Sequence, residues 1–437
     1  VSTLGERLRQ ARRAAGLTQA DLTDPGVSVS MVSRIESGSR QPSTETLHAL
    51  ARRLGVSPAW LRWGRADDAP VDIAAVTAQA ESDLAHGDPR AALERLSVVD
   101  LSQVPAERRA ATAVLRSHAQ ERCGDFDGAR AGLEPLWRDA VAERRPADVL
   151  ALTRGLLYLY LVEGRSAVAV DVGTRARALL DDTDLDPEEL TRLEATVCWA
   201  LLERGDRVHA WQRAVGLHAW ASRACGNGGQ AVALWNLSSV EEALGRYDLA
   251  RRHIQQAVDR MPESRGEDGR DYFRAREQLA WTLLVDGRRD QAAAALDELL
   301  IARDGLDLVG GPDDLVELDL NQSRAHLLLG DLSSAEHWAE SALHRGDLPT
   351  DVGRAGALLS LADVRIARGG RVAAVELTRS ALDLLVNASA GREVTRMLRE
   401  TGVRLLALGE GDGASVAFRR LLAGVGVTDG VSDASVA

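Results

Sequence analysis

The chain has 437 residues, 45% of them apolar, 4% aromatic and 27% charged, with only 12 prolines, which allows a small domain plus a larger body of closely packed helices. All 53 basic residues are arginine, a bias that points to a GC-rich genome of the actinobacterial kind and excludes Schiff-base chemistry and a Walker-type phosphate lysine. Three dispersed cysteines (Cys123, Cys198, Cys225), no run near the roughly 18 apolar residues of a membrane span and no apolar signal-peptide core lead us to expect a cytoplasmic protein without metal, cofactor or membrane.

The net charge of −12 is unevenly spread: residues 1–65 carry 10 arginines against five acids, about +5, which leaves the remainder near −17. A basic head on an acidic body fits a protein that sets only its head on a polyanion. Residues 1–64 read as five short helices. Leu4, Leu8 and Ala11 form the inner stripe of the first, and Gly16 stands at its C-cap. Thr18 caps the second, with Asp21 as a shortened capping-box partner, and Pro25-Gly26 makes the turn. Ser28 caps a third helix that Gly38 ends, Ser43 caps the fourth, and Ser57-Pro58 opens the fifth.

The segments Leu4-Gly5-Glu6-Arg7-Leu8, Gly16-Leu17-Thr18-Gln19, Val32-Ser33-Arg34-Ile35-Glu36-Ser37-Gly38, Pro42-Ser43 and Leu54-Gly55-Val56-Ser57 resemble the Xre/Cro-type repressor family. One departure is that Ala20 to Pro25 is a residue shorter than the family pattern, so the second helix is expected to end early, at Pro25. The resemblance implies that Val29, Ser30, Ser33 and Arg34 face the major groove, Arg34 toward guanine and Val29 toward a thymine methyl. It places Gln19, Ser28, Arg40 and Ser43 on phosphates or the groove flank, where they position without specifying. Val32 and Ile35 are read as core, and a surface ion pair remains the plain alternative for Arg34.

Beyond a linker at residues 65–72 the chain repeats itself. Gly87, Gly124, Gly164, Gly205, Gly245, Gly287, Gly330 and Gly369 recur at a spacing of roughly 40 residues, each between two apolar-periodic segments. Five residues after each comes an alanine: Ala92, Ala129, Ala169, Ala210, Ala250, Ala292, Ala335 and Ala374. Four repeats add a second alanine, Ala176, Ala257, Ala342 and Ala381. Small residues at these points let the second helix of a hairpin press on its neighbours. The pattern, sharpest at Gly245-Arg246-Tyr247-Asp248-Leu249-Ala250 with Ala257 and Pro262, resembles the tetratricopeptide repeat over about residues 73–424. A poorer ninth unit, around Gly409 to Gly413, is read as a cap rather than a phosphate loop, and residues 425–437 as a disordered tail. The expected architecture is therefore all-α, a five-helix head followed by a solenoid of about eight to nine hairpins.

Such stacks use a concave surface for binding. Nine residues before the turn glycine, three consecutive repeats carry Asn236, Gln278 and Asn321, a register that faces the groove in the tetratricopeptide family. Amides there can pair with both polar groups of an extended peptide backbone. Six residues before the glycine come Tyr158, Trp199, Ser239, Trp281 and Arg324, with Trp235, Arg274 and Glu317 on the same helices. Packing between hairpins for the tryptophans, and simple solvation for the asparagines, stay open beside the groove reading.

In architecture the chain resembles the RRNPP group of quorum-sensing regulators, which implies a signalling peptide or small molecule in the groove and a homodimer on a palindromic DNA site. A regulator whose body binds only a protein partner or itself is the alternative. No metal cluster, nucleotide loop or Ser-His-Asp arrangement supports an enzyme.

Overall fold

The computed structural model describes residues 3–23, 27–64, 72–181, 183–261, 269–345, 351–388 and 391–424. The Pro25-Gly26 turn, Pro262, nearly all of the 65–72 linker and the 425–437 tail lie outside the described residues. The chain divides into two compact units, residues 1–129 and 130–437, and the division falls within a helix rather than at the linker read from the sequence.

In the first unit the head holds, among the described residues, four α-helices, α1 (Leu4–Ala14), α2 (Val29–Glu36), α3 (Thr44–Leu54) and α4 (Pro58–Trp63). The expected second helix is a single 3-10 turn, Ala20–Leu22. The reciprocal bonds between Thr18 and Asp21 do form, at 2.7 and 3.3 Å, but Thr23 is already extended, so the shortened segment supports no α-helical turn. Ser28, Ser43 and Ser57 each accept a bond from the backbone N–H three residues on, fixing the starts of α2, α3 and α4. Leu8, Leu22, Val32, Ile35, Leu50 and Leu61 close one core. The approach of α1 to α2 requires Gly5, because a Cβ there would stand 2.5 Å from the Ile35 carbonyl oxygen and 2.8 Å from that of Glu36.

The body is built of hairpins. The first unit contains α5 (Ile73–Ala85), α6 (Pro89–Leu96) and α7 (Ala106–Arg122), and α8 (Phe126–Ala142) spans the division. The second continues with α9 (Pro146–Val162), α10 (Ser166–Leu180), α11 (Pro187–Glu203), α12 (Arg207–Ala224), α13 (Asn227–Ala243), α14 (Tyr247–Val258), α15 (Arg270–Leu284) and α16 (Arg289–Val309). It ends with α17 (Pro312–Leu329), α18 (Leu332–His344), α19 (Asp351–Ala367), α20 (Arg371–Asn387), α21 (Arg392–Ala407) and α22 (Gly411–Gly424).

All eight turn glycines read from the sequence, together with Gly409, adopt left-handed φ between 67° and 86° and join the helices of nine hairpins among the described residues. The eight alanines five residues on are all 0% exposed, which is the physical reason for their recurrence: a larger side chain would hold the helices apart. Ala176, Ala257, Ala342 and Ala381 are buried to the same extent. The odd-numbered helices from α9 to α21 carry the residues in the groove register.

Candidate functional site

On α2 the periodicity separates two faces. Val32 and Ile35 are fully buried, while Ser30, Ser33, Arg34 and the 43%-exposed Val29 face outward. Arg34 makes no ion pair among the described residues, so its guanidinium is available. Ser28 is held as the cap and its Oγ lies 3.1 Å from that of Ser30; Ser43 caps α3, and Arg40 is exposed.

Gln19 does not point freely outward. Its Nε2 donates to the Glu36 Oε2 at 2.8 Å, and Arg12 donates to both oxygens of the same carboxylate at 2.6 and 3.0 Å. Arg9 lies 3.5 Å from it. Burial pushes the Glu36 carboxyl up, but hydrogen bonds from Arg12 and Gln19 and the Arg12 charge outweigh burial and hold it below the usual carboxylate range. A second buried cation, Arg7, donates through Nε to the Leu61 carbonyl at 2.9 Å and through a terminal nitrogen to that of Arg62, tying the end of α4 to α1. The alternation that identified the core has no signal for charged residues that turn inward, so neither Glu36 nor Arg7 was foreseen.

The residues of the groove register lie on the odd-numbered helices α9 to α17, and their amides are occupied within the array. Asn236 is 8% exposed and donates to the Ala195 carbonyl at 3.1 Å. Gln278 accepts from the Trp235 indole and donates to Ser239 Oγ at 3.0 Å. Asn321 donates to Glu277. The three amides therefore tie helix to helix. Tyr158 and Glu317 remain exposed.

Around them lies a charged, aromatic wall. The Arg274 guanidinium stands 5.9 Å from the Trp235 ring centre and pairs with Asp314 at 3.2 Å. Arg324 and Arg396 approach the Trp281 ring at 4.6 and 5.1 Å. Arg324 lies 3.9 Å from Glu400, and Arg396 pairs with Glu393 and Glu400. Helix α21 thus projects its acids and arginines onto the wall formed by α15 and α17. These residues were missed, although Asp363 and Glu400 occupy the same two registers in the last repeats and mark the groove as charged at that end.

Two wall carboxyls are displaced upward. Burial, then the Glu317 charge, raises Glu277, and burial, then the Glu393 charge, raises Glu317 against the opposing pull of Arg396, Arg274 and Arg392. Glu317 keeps exposed surface, so its burial is that of a side chain on an enclosing wall rather than in a dry core. A carboxyl whose folded-state pKa is raised contributes stability that is full below the unfolded carboxylate range and is lost as pH rises through the raised value. Replacing Glu317 with glutamine should therefore raise the Tm of the array at pH 8 and leave it nearly unchanged at pH 4. An unchanged Tm at pH 8 would mean the nearby arginines already neutralise it.

Residues 8–61 match the helix-turn-helix family model, and residues 229–305 match the tetratricopeptide repeat. The chain joins an Xre-type helix-turn-helix domain to tetratricopeptide repeats. No curated protein sequence matches this helix-turn-helix tetratricopeptide chain. Among solved structures, the Rap conjugation gene regulator of plasmid pLS20, in complex with the Phr* peptide, is 13% identical, with a TM-score of 0.50 over 91% of this chain and 97% of that one. A Rap protein complexed with competence and sporulation factor is 12% identical, covering 96% and 97%, at a TM-score of 0.48. Bacillus thuringiensis PlcR, in complex with the peptide PapR7 and DNA, is 15% identical, covering 60% and 94%, at a TM-score of 0.35. At 13% identity the likeness to the pLS20 regulator is one of fold. No helix among the described residues is long and apolar enough to cross a membrane.

Proposed function

We propose that this protein is a sequence-specific DNA-binding transcription regulator whose repeat body senses a peptide or small-molecule signal in its groove and mediates dimerisation on a palindromic operator. The observation that carries the DNA-binding half is the exposed row Val29, Ser30, Ser33 and Arg34 on α2, behind which Val32 and Ile35 are fully buried. A helix presented this way in a basic helix-turn-helix domain reads base edges with its first turns. Support for the sensing half is the aromatic and charged wall on a fold shared with the Rap regulator solved with its Phr* peptide. Ser28, Ser43 and Arg40 act on phosphates in this reading, while Gln19 acts mainly by holding Glu36.

One observation favours the alternative, a body that binds only a protein partner or itself: Asn236, Gln278 and Asn321 already spend hydrogen bonds within the array. The test is binding of the purified chain to DNA from upstream of its own gene, with and without a low-molecular-weight culture extract. A specific shift altered by extract supports sensing, and one indifferent to extract supports the alternative. Arg34→Ala should lower discrimination between operator and random DNA by roughly 5- to 100-fold, the worth of one bidentate base contact. Unchanged discrimination removes Arg34 from the base-reading set.

A further inference from the structure

Three tryptophans of the groove wall carry guanidiniums on their faces, but the four cations are not equivalent. The arginines over Trp235 and Trp281 are also ion-paired, Arg274 with Asp314, Arg324 with Glu400 and Arg396 with Glu393 and Glu400. Arg392, 4.7 Å from the centre of the Trp199 ring, has no ion pair among the described residues. Trp199 and Glu203 lie four residues apart, on one face of α11. Glu203 likewise has no cation of its own among the described residues. Its Oε2 accepts from the backbone N–H of Arg392 at 3.0 Å, supplying the cap that Gly391 lacks a side chain to provide. The Glu203–Arg392 bond joins residues 189 positions apart, and the two contacts close α21 onto α11 across four intervening hairpins.

We propose that Trp199 and Glu203 form a guanidinium subsite of the groove, filled in this state by the chain's own Arg392, and that an arginine side chain of the ligand displaces Arg392 and releases the N-terminal turn of α21. This rests on the sensing reading above and names the ligand chemistry for it. Arg392 has the ring face and the longer-range attraction of Glu317 and Glu393, but it reaches Glu203 through its backbone N–H rather than its guanidinium. An incoming guanidinium gains both the ring face and a charge-assisted bond to the carboxylate. Such an occupant outcompetes Arg392, and its arrival uncaps α21, which couples ligand binding to the position of the last hairpin.

The test uses the full chain, a capped Ala-Arg-Ala tripeptide, and the same tripeptide with citrulline, which keeps the shape and loses the charge. Affinity is read by calorimetry and the α21 N-terminus by amide exchange over residues 392–395. The arginine probe should speed exchange there in the wild type, and should bind Arg392→Gln about tenfold more tightly because its internal competitor is gone. The citrulline probe should do neither, and Trp199→Leu in the Arg392→Gln background should abolish binding. Equal affinity for wild type and Arg392→Gln, equal binding of citrulline, or no binding to Arg392→Gln overturns the subsite. Probe-induced protection on α13–α17 that survives Trp199→Leu overturns the subsite while leaving groove sensing intact. Loss of culture-extract response in a chain that still binds the tripeptide at Trp199 counts against the sensing reading instead.

Discussion

Glu36→Ala is expected to abolish DNA binding by unfolding the helix-turn-helix domain, although Glu36 touches no base. Its carboxylate is 1% exposed and is the partner of Arg12, itself 13% exposed. Removing the acid leaves a largely buried guanidinium with only the Leu17 carbonyl, at 3.0 Å, and takes the Gln19 amide's acceptor away. Breaking a buried pair in this way costs about 3–5 kcal/mol, comparable with the whole stability of a domain this small. Amide exchange of the full chain should show protection lost in α1 to α4 and retained in the repeats. The double variant Arg12→Met/Glu36→Leu decides the cause, since an apolar pair of similar volume should restore protection if the loss was electrostatic. Protection unchanged in Glu36→Ala would mean that Arg12 finds solvent without cost. Because Glu36 is held below the carboxylate range, its contribution is full at neutral pH and fades as pH falls through that lowered value.

The elements of the fold that were legible in the sequence are those set by local rules. Serine caps, left-handed glycines and the alanine five residues after each turn all require a residue type at a fixed offset, and the offset survives any tertiary arrangement. Ala92 through Ala374 are the clearest case, since each is a close helix contact written as one letter. The second helix of the head was less legible, because shortening by one residue moves Thr23 out of helical conformation and no propensity records how little chain remains. The register analysis placed Trp199, Trp235, Trp281, Asn321 and Arg324 on one wall but left their partners invisible. Arg392 meets Trp199 only because the array curls, and a contact between residues so far apart in the chain leaves no periodic trace. The amides show the same limit: their position was readable, but not the Ala195 carbonyl, Ser239 hydroxyl and Glu277 carboxylate that they bond.

Asp319→Ala should be the most damaging single change in the repeat body, and its effect bears on the groove as well as on stability. Asp319 is 0% exposed on α17, where it accepts from Arg303 of α16, from Arg345 just past α18 at 2.7 Å and from Ser341 of α18 at 2.8 Å. Arg303 also lies 4.4 Å from the Trp338 ring centre, so one carboxylate holds a cation already committed to packing. Its removal leaves Arg303 with only Gln322 at 3.1 Å and Asp307 at 3.7 Å and takes the carboxylate from Arg345, again at a cost of about 3–5 kcal/mol. In a solenoid, stability passes between neighbours, so the loss should be local at first. Amide protection should fall in α16 to α18 and persist in α9 to α13, and denaturant unfolding should broaden or split. The same α17 carries Glu317, Asn321 and Arg324 on its groove side, so the variant should keep operator binding and lose response to ligand. A single unfolding transition with unchanged midpoint would show that Arg303 and Arg345 are satisfied without Asp319. Ligand response surviving a loosened α17 would instead place the sensing contacts on other helices of the wall.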